Sequence, residues 1–258
     1  MQYLTEKSVN RFDSKTKLWY NSYMKGEMKM QENTQLATPE SFDNILNSNR
    51  TAEILETAKP FMELIMHNEC ALREIETKLN ILNDEFSTLY NYNPIETIKT
   101  RVKDPISIVE KMHRKNVLPT VENIEKTLND IAGIRVICSF PEDIYAIAEM
   151  LTKQDDVTVI AKKDYIINPK PNGYRSLHYI LGIPIFLSTG KKNMKVEVQF
   201  RTIAMDFWAS LDHKMKYKHN IKDAEEIAAE LKMCSDAINA IDYRMQVIRN
   251  RIERNGNI

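Results

Sequence analysis

Four short clusters in this 258-residue sequence gather groups able to grip phosphates or move a proton. In Asn172-Gly173-Tyr174-Arg175-Ser176-Leu177-His178, a turn dipeptide precedes an aromatic ring, a guanidinium, a hydroxyl and an imidazole at the mouth of a strand. Glycine lets backbone approach a ligand closely, Tyr174 can stack on a base, Arg175 can fork onto phosphate and His178 can donate to it. The same residue types also make a plain hairpin turn. In Lys195-Val196-Glu197-Val198-Gln199-Phe200-Arg201, period-two alternation puts Glu197, Gln199 and Arg201 on one face, either a reaction surface or a solvated antiparallel face.

The third cluster, Asp130-Ile131-Ala132-Gly133-Ile134-Arg135, sets a carboxylate before a tight turn and an arginine inside an apolar strand. An unpaired buried guanidinium is expensive, so Arg135 needs an anion, either Asp130 or a ligand phosphate, and Asp130 could itself hold magnesium. The fourth cluster is basic: Arg101, Lys103, Lys111, Arg114 and Lys115, with Lys162, Lys163 and Lys170 ahead of the glycine loop. Such a run is ordinarily a solvated helix face. The chain is neutral, with 36 Lys plus Arg against 36 Asp plus Glu, so it lacks a general field for nucleic acid or anionic membrane. Cations beside two candidate phosphate loops therefore favour a local polyphosphate site.

These groups need a scaffold. Residues 1 to about 50 mix Asn, Ser, Thr and Lys with isolated aromatics and show no sustained period, as a loosely structured extension would. From Pro60, apolar residues recur at Phe61, Ile65, Leu72, Ile75, Leu79, Leu82, Phe86 and Leu89, predicting one long helix. Asn91–Pro94 breaks it. Asp104 can cap a shorter helix that Pro119 ends, Val121–Leu128 forms another, and Pro141 starts one reaching about Leu151. Strands are predicted at Ile134–Cys138, Val157–Ile167, Leu177–Ile185 and Lys195–Phe200, and Thr202 can cap a helix carrying Phe207, Trp208, Leu211 and Met215. Beyond Asn220–Asp223, Ile227, Leu231, Cys234, Ile238, Ile241, Met245, Ile248 and Ile252 repeat in steps of four and three. That resembles a heptad seam, packed on its own domain or on another subunit.

The three cysteines are odd in number and far apart, as reduced core thiols would be. No apolar run approaches the ~18 residues of a membrane span, which points to a cytoplasmic protein.

Together, Arg101-Val102-Lys103, Asp130–Arg135, Gly173–His178 and Val196–Thr202 resemble the synthetase domain of the stringent-response alarmone enzymes, and Ile203–His213 narrows the likeness to the small, single-domain alarmone synthetases. The resemblance spans roughly residues 60 to 250. It implies an α+β fold: a mixed β-sheet of the nucleotidyltransferase-like synthetase type flanked by helices, with long N-terminal and C-terminal helices. Residues 1–55 are then a polar, loosely structured or regulatory extension, 56–220 the catalytic domain and 221–258 a C-terminal helix for oligomerisation, with a homotetramer favoured.

The implied reaction moves the β,γ-pyrophosphate of ATP to the 3′-hydroxyl of GDP or GTP, with GMP as a third candidate acceptor, Mg2+ as cofactor and AMP released. Carried over by position, Asp130 looks like a magnesium ligand and Glu197 like a second ligand or the base for the hydroxyl. Arg101 and Arg135 match ATP-holding positions, assisted by Lys103, Lys111 and Arg114, while Lys163 stands where relatives often have arginine. Tyr174 matches the aromatic stacked on guanine. Lys170, Arg175 and His178 line the acceptor side, Gln199 and Arg201 brace Glu197, and Asp206 could accept from the guanine Watson–Crick edge.

Nothing resembling the hydrolase His-Asp metal pair of longer relatives is present, so degradation of the alarmone is not expected. The alternatives are a silent guanine-nucleotide or RNA-binding module of the same fold, and nucleotidyl transfer or hydrolysis at the same metal site. Two carboxylates among phosphate ligands argue against a mere binder. Regulation by the alarmone or by single-stranded RNA is left open.

Overall fold

The computed structural model describes residues 49–216 and 224–256, so the expected extension over residues 1–55 lies outside the described residues up to residue 48 and is helical from Asn49. The sheet belongs to the compact unit from Glu56 onward.

Helix α1 (Asn49–Tyr90) begins well before the predicted start, continuing through Pro60. The preceding stretch Thr51–Lys59 is rich in Ala, Glu, Leu and Lys, strong helix formers that carry the helix past the proline. Its buried stripe is Leu64, Ala71, Leu72, Ile75, Leu79 and Leu82, whereas Leu89, expected on that face, is exposed near the helix end.

Strand β1 (Ile95–Val102) follows, a strand that the periodicity does not reveal. It is an edge strand with only Ile95 buried, so it shows none of the alternation that a core-facing strand would. Helix α2 (Pro105–Arg114) is capped by Asp104, whose carboxylate accepts from the Ile106 and Ser107 amides. Helix α3 (Val121–Thr127) is capped by Thr120. Leu64, Ile108, Met112, Ile124, Leu128 and Ile131 form a small apolar cluster that ties these two helices to α1.

Then come β2 (Ala132–Cys138), α4 (Pro141–Thr152), β3 (Thr158–Asp164), β4 (Leu177–Leu187), β5 (Gly190–Thr202), α5 (Ile203–Lys216) and α6 (Ala224–Gly256). β3 stops short of the predicted Ile167 because the Asp164 carboxylate turns back to accept from the Ile166 and Ile167 amides. β5 starts earlier than predicted, at the tight hairpin through Gly190, whose φ of +123° suits glycine. Thr202 caps α5 as predicted, accepting from the Met205 amide.

The strands form one mixed five-stranded sheet in the order β1-β2-β5-β4-β3, and β2–β5 is its parallel pair. One face carries the main core: Ile134 and Val136 of β2, Val196, Val198 and Phe200 of β5 and Leu177, Leu181 and Ile183 of β4 pack on α1 and α4. Cutting the fully buried Phe200 back to alanine would cost ~3–5 kcal/mol. The other face is left to polar side chains.

Helix α6 packs with its polar side inward. Ser235, Asp242 and Gln246 are buried, while Ile241, Met245, Ile248 and Ile252 of the apparent heptad seam are 44–66% exposed. The inward residues bond in series: Asp242 accepts from the Thr202 hydroxyl at 2.6 Å, Gln246 donates to Glu142 at 3.0 Å, and Arg249 pairs with Asp143 at 2.7 Å beneath the ring of Tyr92. Of the cysteines only Cys138 is buried, and burial pushes its thiol well above the ordinary value; Cys234 is exposed, against the expectation of a core thiol. Among the described residues, no helix is long and apolar enough to cross a membrane.

Candidate active site

Strand register assembles the polar face. Lys99 of β1 lies opposite Arg135 of β2, which lies opposite Gln199 of β5, then His178 of β4 and Lys163 of β3, a row crossing all five strands. The neighbouring row reads Arg101, Gly133, Glu197, Ile180 and Ala161. Directly opposed residues share a sheet face, so residues far apart in sequence become lateral neighbours. Lys162, by contrast, sits on the other face with its ammonium 5.6 Å from the Tyr179 ring centre, so it does not belong to the phosphate-facing cluster.

Asp130, in the turn before β2, receives Lys103 at 2.7 Å and Lys111 at 2.6 Å, both on Oδ2. Burial works to raise the Asp130 carboxyl, but the two lysines outweigh it and hold it below the usual carboxylate range. Its other oxygen, Oδ1, is buried without a hydrogen-bond partner. Glu197 is also partly buried: Oε2 accepts from Gln199 at 3.1 Å, and Oε1 lies 3.4 Å from His178 Nδ1. There too burial acts upward and is overcome, mainly by His178 and then Gln199, while the charge of Asp130 pushes the other way. Both carboxyls are therefore ionised at neutral pH.

Among the described residues there is no group of three or more His, Cys, Asp and Glu that could hold a metal. Two carboxylates completed by phosphate oxygens are nevertheless what Mg2+ ordinarily takes, and the orphaned Asp130 Oδ1 fits such a donor set.

Arg201 is the hub of a second network. It is 5% exposed and donates to Asp206 at 3.0 Å, to Gln199 at 3.0 Å and to the Tyr174 hydroxyl at 2.7 Å. Tyr174 accepts that bond and lies 2.8 Å from His178 Nε2, so it can donate in turn and leave the His178 Nδ1 proton for Glu197. Gln199 braces Glu197 directly, and Arg201 does so through Gln199. Asp206, the expected partner of a guanine edge, gathers Arg201, Arg135 at 3.2 Å and Lys99 at 3.5 Å. Burial, then the nearby charge of Arg201, lowers the Arg135 pKa, against the pull of Asp206. The Nε groups of Arg135, Arg175 and Arg201 are buried without an acceptor.

The glycine loop closes on itself: the Gly173 amide donates to the Lys170 carbonyl at 2.8 Å, and the Lys170 amide to that of Tyr174 at 3.1 Å. Lys170 Nζ lies 4.8 Å from the ring centres of both Tyr165 and Tyr174, and Tyr165 meets Tyr174 and His178 edge-on. Arg101, Arg114 and Lys163 are exposed. Arg114 ends α2, one turn beyond Lys111, and no described contact draws it to Asp130.

Two site residues escape sequence reasoning. Lys99 stands two positions before Arg101, and period-two spacing would have exposed it had β1 been read as a strand. Tyr165 carries no spacing signal, since it lies just past the end of β3 and the fold alone brings it to the loop.

Known proteins resemble this chain in sequence and in fold. The region found in RelA and SpoT proteins matches residues 100–222. The GTP pyrophosphokinase YwaC of Bacillus subtilis is 41% identical over 191 residues, 74% of this chain and 90% of that one. This chain belongs to the RelA/SpoT family. YjbM, another Bacillus subtilis GTP pyrophosphokinase, is 37% identical over 71% of this chain and 85% of its own length. Among solved structures, small alarmone synthetase 1 of Bacillus subtilis bound to its product pppGpp superposes with a TM-score of 0.68 at 34% identity, covering 75% of this chain and 98% of that one. The RelA/SpoT match takes in every residue of the two cross-strand rows except Lys99, which precedes it by one position.

Proposed function

We infer that this chain is a GTP pyrophosphokinase that transfers the β,γ-pyrophosphate of ATP to the 3′-hydroxyl of GDP or GTP, making (p)ppGpp and releasing AMP. The observation that carries this reading is the approach of two ionised carboxylates, Glu197 on the polar sheet face and Asp130 in the turn before β2, flanked by guanidinium and ammonium groups. A nucleotide binder needs the cations and the aromatic, but has no use for two carboxylates beside bound phosphates.

Asp130, with Glu197 near it, would hold Mg2+, which when bound neutralises phosphate charge and orients the β-phosphorus. Lys103 and Lys111, which hold Asp130 in the free protein, swing to ATP oxygens as the nucleotide enters. Arg135, with its unpartnered Nε, and the exposed Arg101 grip the triphosphate and stack on adenine, with Arg114 and Lys163 at the periphery. On the other side Tyr174 stacks on guanine once Lys170 leaves its ring for the acceptor phosphates, joined there by Arg175.

Glu197 accepts the proton of the 3′-hydroxyl as that oxygen bonds to the β-phosphorus and the bond from that phosphorus to the α,β-bridging oxygen breaks. A base so placed contributes ~10²–10⁴ in rate. His178, donating from Nδ1, keeps the Glu197 carboxylate turned towards the reaction.

Incubation of the protein with ATP and GDP, GTP or GMP, followed by nucleotide separation, is expected to yield AMP and a 3′-pyrophosphorylated guanine nucleotide. Glu197→Gln should abolish the product while preserving the fold, and full activity in that variant would remove Glu197 from the role of base. Manganese-dependent release of pyrophosphate from the product is not expected. The exposed apolar seam of α6 has the spacing to receive the same seam of a second copy, which makes a homo-oligomer our reading of the assembly.

A further inference from the structure

Given that reading of the reaction, we propose that Ser235 and Asp236 of α6 are positioning residues for the acceptor loop, so that these two contacts govern acceptor binding and not ATP binding. Ser235 is 4% exposed, and its hydroxyl donates to the Gly173 carbonyl at 2.6 Å. Gly173 has a φ of +87°, and a Cβ there would lie 2.6 Å from Ser235 Cβ and 3.4 Å from Lys232 Cα. The loop therefore lies flush against the helix backbone, an approach that only glycine allows.

One residue further on, Asp236 accepts from Arg175 Nη2 at 3.3 Å while Lys232 holds its other oxygen at 2.6 Å. Arg175 Nη1 donates to the Ile166 carbonyl at 3.0 Å, so the guanidinium is stretched between the end of β3 and α6. The helix itself is anchored close by, since the Trp208 indole donates to the Leu231 carbonyl at 2.9 Å.

These contacts fall on one side of the site. Gly173 adjoins Tyr174, and Arg175 is the acceptor-phosphate group, so a shift of α6 moves the ring and the guanidinium together. The bonds that orient Lys103, Lys111, Asp130 and Arg135 run instead among the β1–α2 connection, α2, the turn before β2, β2 itself and α5. Removing the Ser235 hydroxyl takes the donor from a buried carbonyl and loosens the loop in the free enzyme, a cost that appears when an acceptor must find the loop formed.

The test is steady-state kinetics of the full chain, varying GDP at saturating ATP and ATP at saturating GDP, alongside thermal melting. Ser235→Ala is expected to raise the acceptor KM about tenfold and leave the ATP KM within about twofold. Asp236→Ala, at an exposed position that does not threaten folding, should raise the acceptor KM about threefold. In an Arg175→Ala background it should add nothing, because it acts through that guanidinium. Equal rises in both KM values, or a fall in kcat alone that follows a lost melting temperature, would reduce the contact to ordinary packing and overturn the proposal. If the unaltered protein forms no 3′-pyrophosphorylated product, the reaction assignment fails separately. Calorimetric titration with GDP then decides the point: about tenfold weaker binding by Ser235→Ala supports the loop's dependence on α6, and unchanged binding overturns it.

Discussion

Arg101, Lys103, Lys111, Asp130 and Arg135 come from one stretch of chain and are mounted on strands, a capped helix and the turn between them; Lys170, Tyr174 and Arg175 sit in a loop held by a helix residue 62 positions later. The side proposed for ATP is thus locally encoded around Asp130, where short ion pairs cross-brace it, and only Arg135 reaches out of the stretch, to Asp206. The side proposed for the acceptor depends on long-range contacts and on one glycine at positive φ. Local lesions should damage the first, whereas the second should also fail through changes far from the ligand.

The sharpest way to break this contrast is Gly173→Ala. A methyl group at φ +87° and 2.6 Å from Ser235 Cβ forces the loop off α6, with ~1–3 kcal/mol of backbone strain added. Acceptor kcat/KM is expected to fall ~10²-fold with the ATP KM little changed, as read by kinetics on each substrate. Arg135→Ala is the mirror experiment: the ATP KM should rise ~10-fold or more while GDP binding by calorimetry is preserved.

Asp206→Ala probes the seam between the sides, because that carboxylate holds both Arg135 and Arg201. A rise of ~3–10-fold in both KM values would mark it as a brace, whereas a loss confined to guanine-over-adenine selectivity would return it to a base-reading role. Smallest in its effect on chemistry is Ile241→Asp with Ile248→Asp. These exposed α6 positions should yield a smaller species on size measurement, with the melting temperature of the protomer held, since the helix seats by its other face.

Much of this was readable in the sequence because strands with one buried face advertise themselves. The alternation of Val196, Val198 and Phe200 against Glu197, Gln199 and Arg201 fixed which groups of β5 face the site. β1 escaped because an edge strand buries little and needs no apolar alternation; with it went Lys99 and the row it begins. The seam of α6 left its own-domain and intersubunit readings undecided for the opposite reason. Apolar periodicity ordinarily marks the inward face of a helix, but here Ser235, Asp242 and Gln246 face inward because each finds a specific hydrogen-bond partner, and burial by bonding leaves no periodic trace. Which cations gather on Asp130 and Asp206 was equally hidden, since Lys111 on α2 and Asp206 on α5 meet their partners through the packing of helices on the sheet, which no single segment reveals.

The parallel pairing of β2 with β5 limits how this protein can change over time. The alternation that puts Glu197 and Gln199 on the polar face also puts Val196, Val198 and Phe200 in the core, so inserting one residue within β5 would turn every side chain beyond it to the wrong face. Catalytic apparatus and core are thus written in the same reading frame. Variation in length is tolerable at the β4–β5 hairpin, where a Cβ at Gly190 would have nothing within 4 Å, and the rows themselves are left to change by substitution alone.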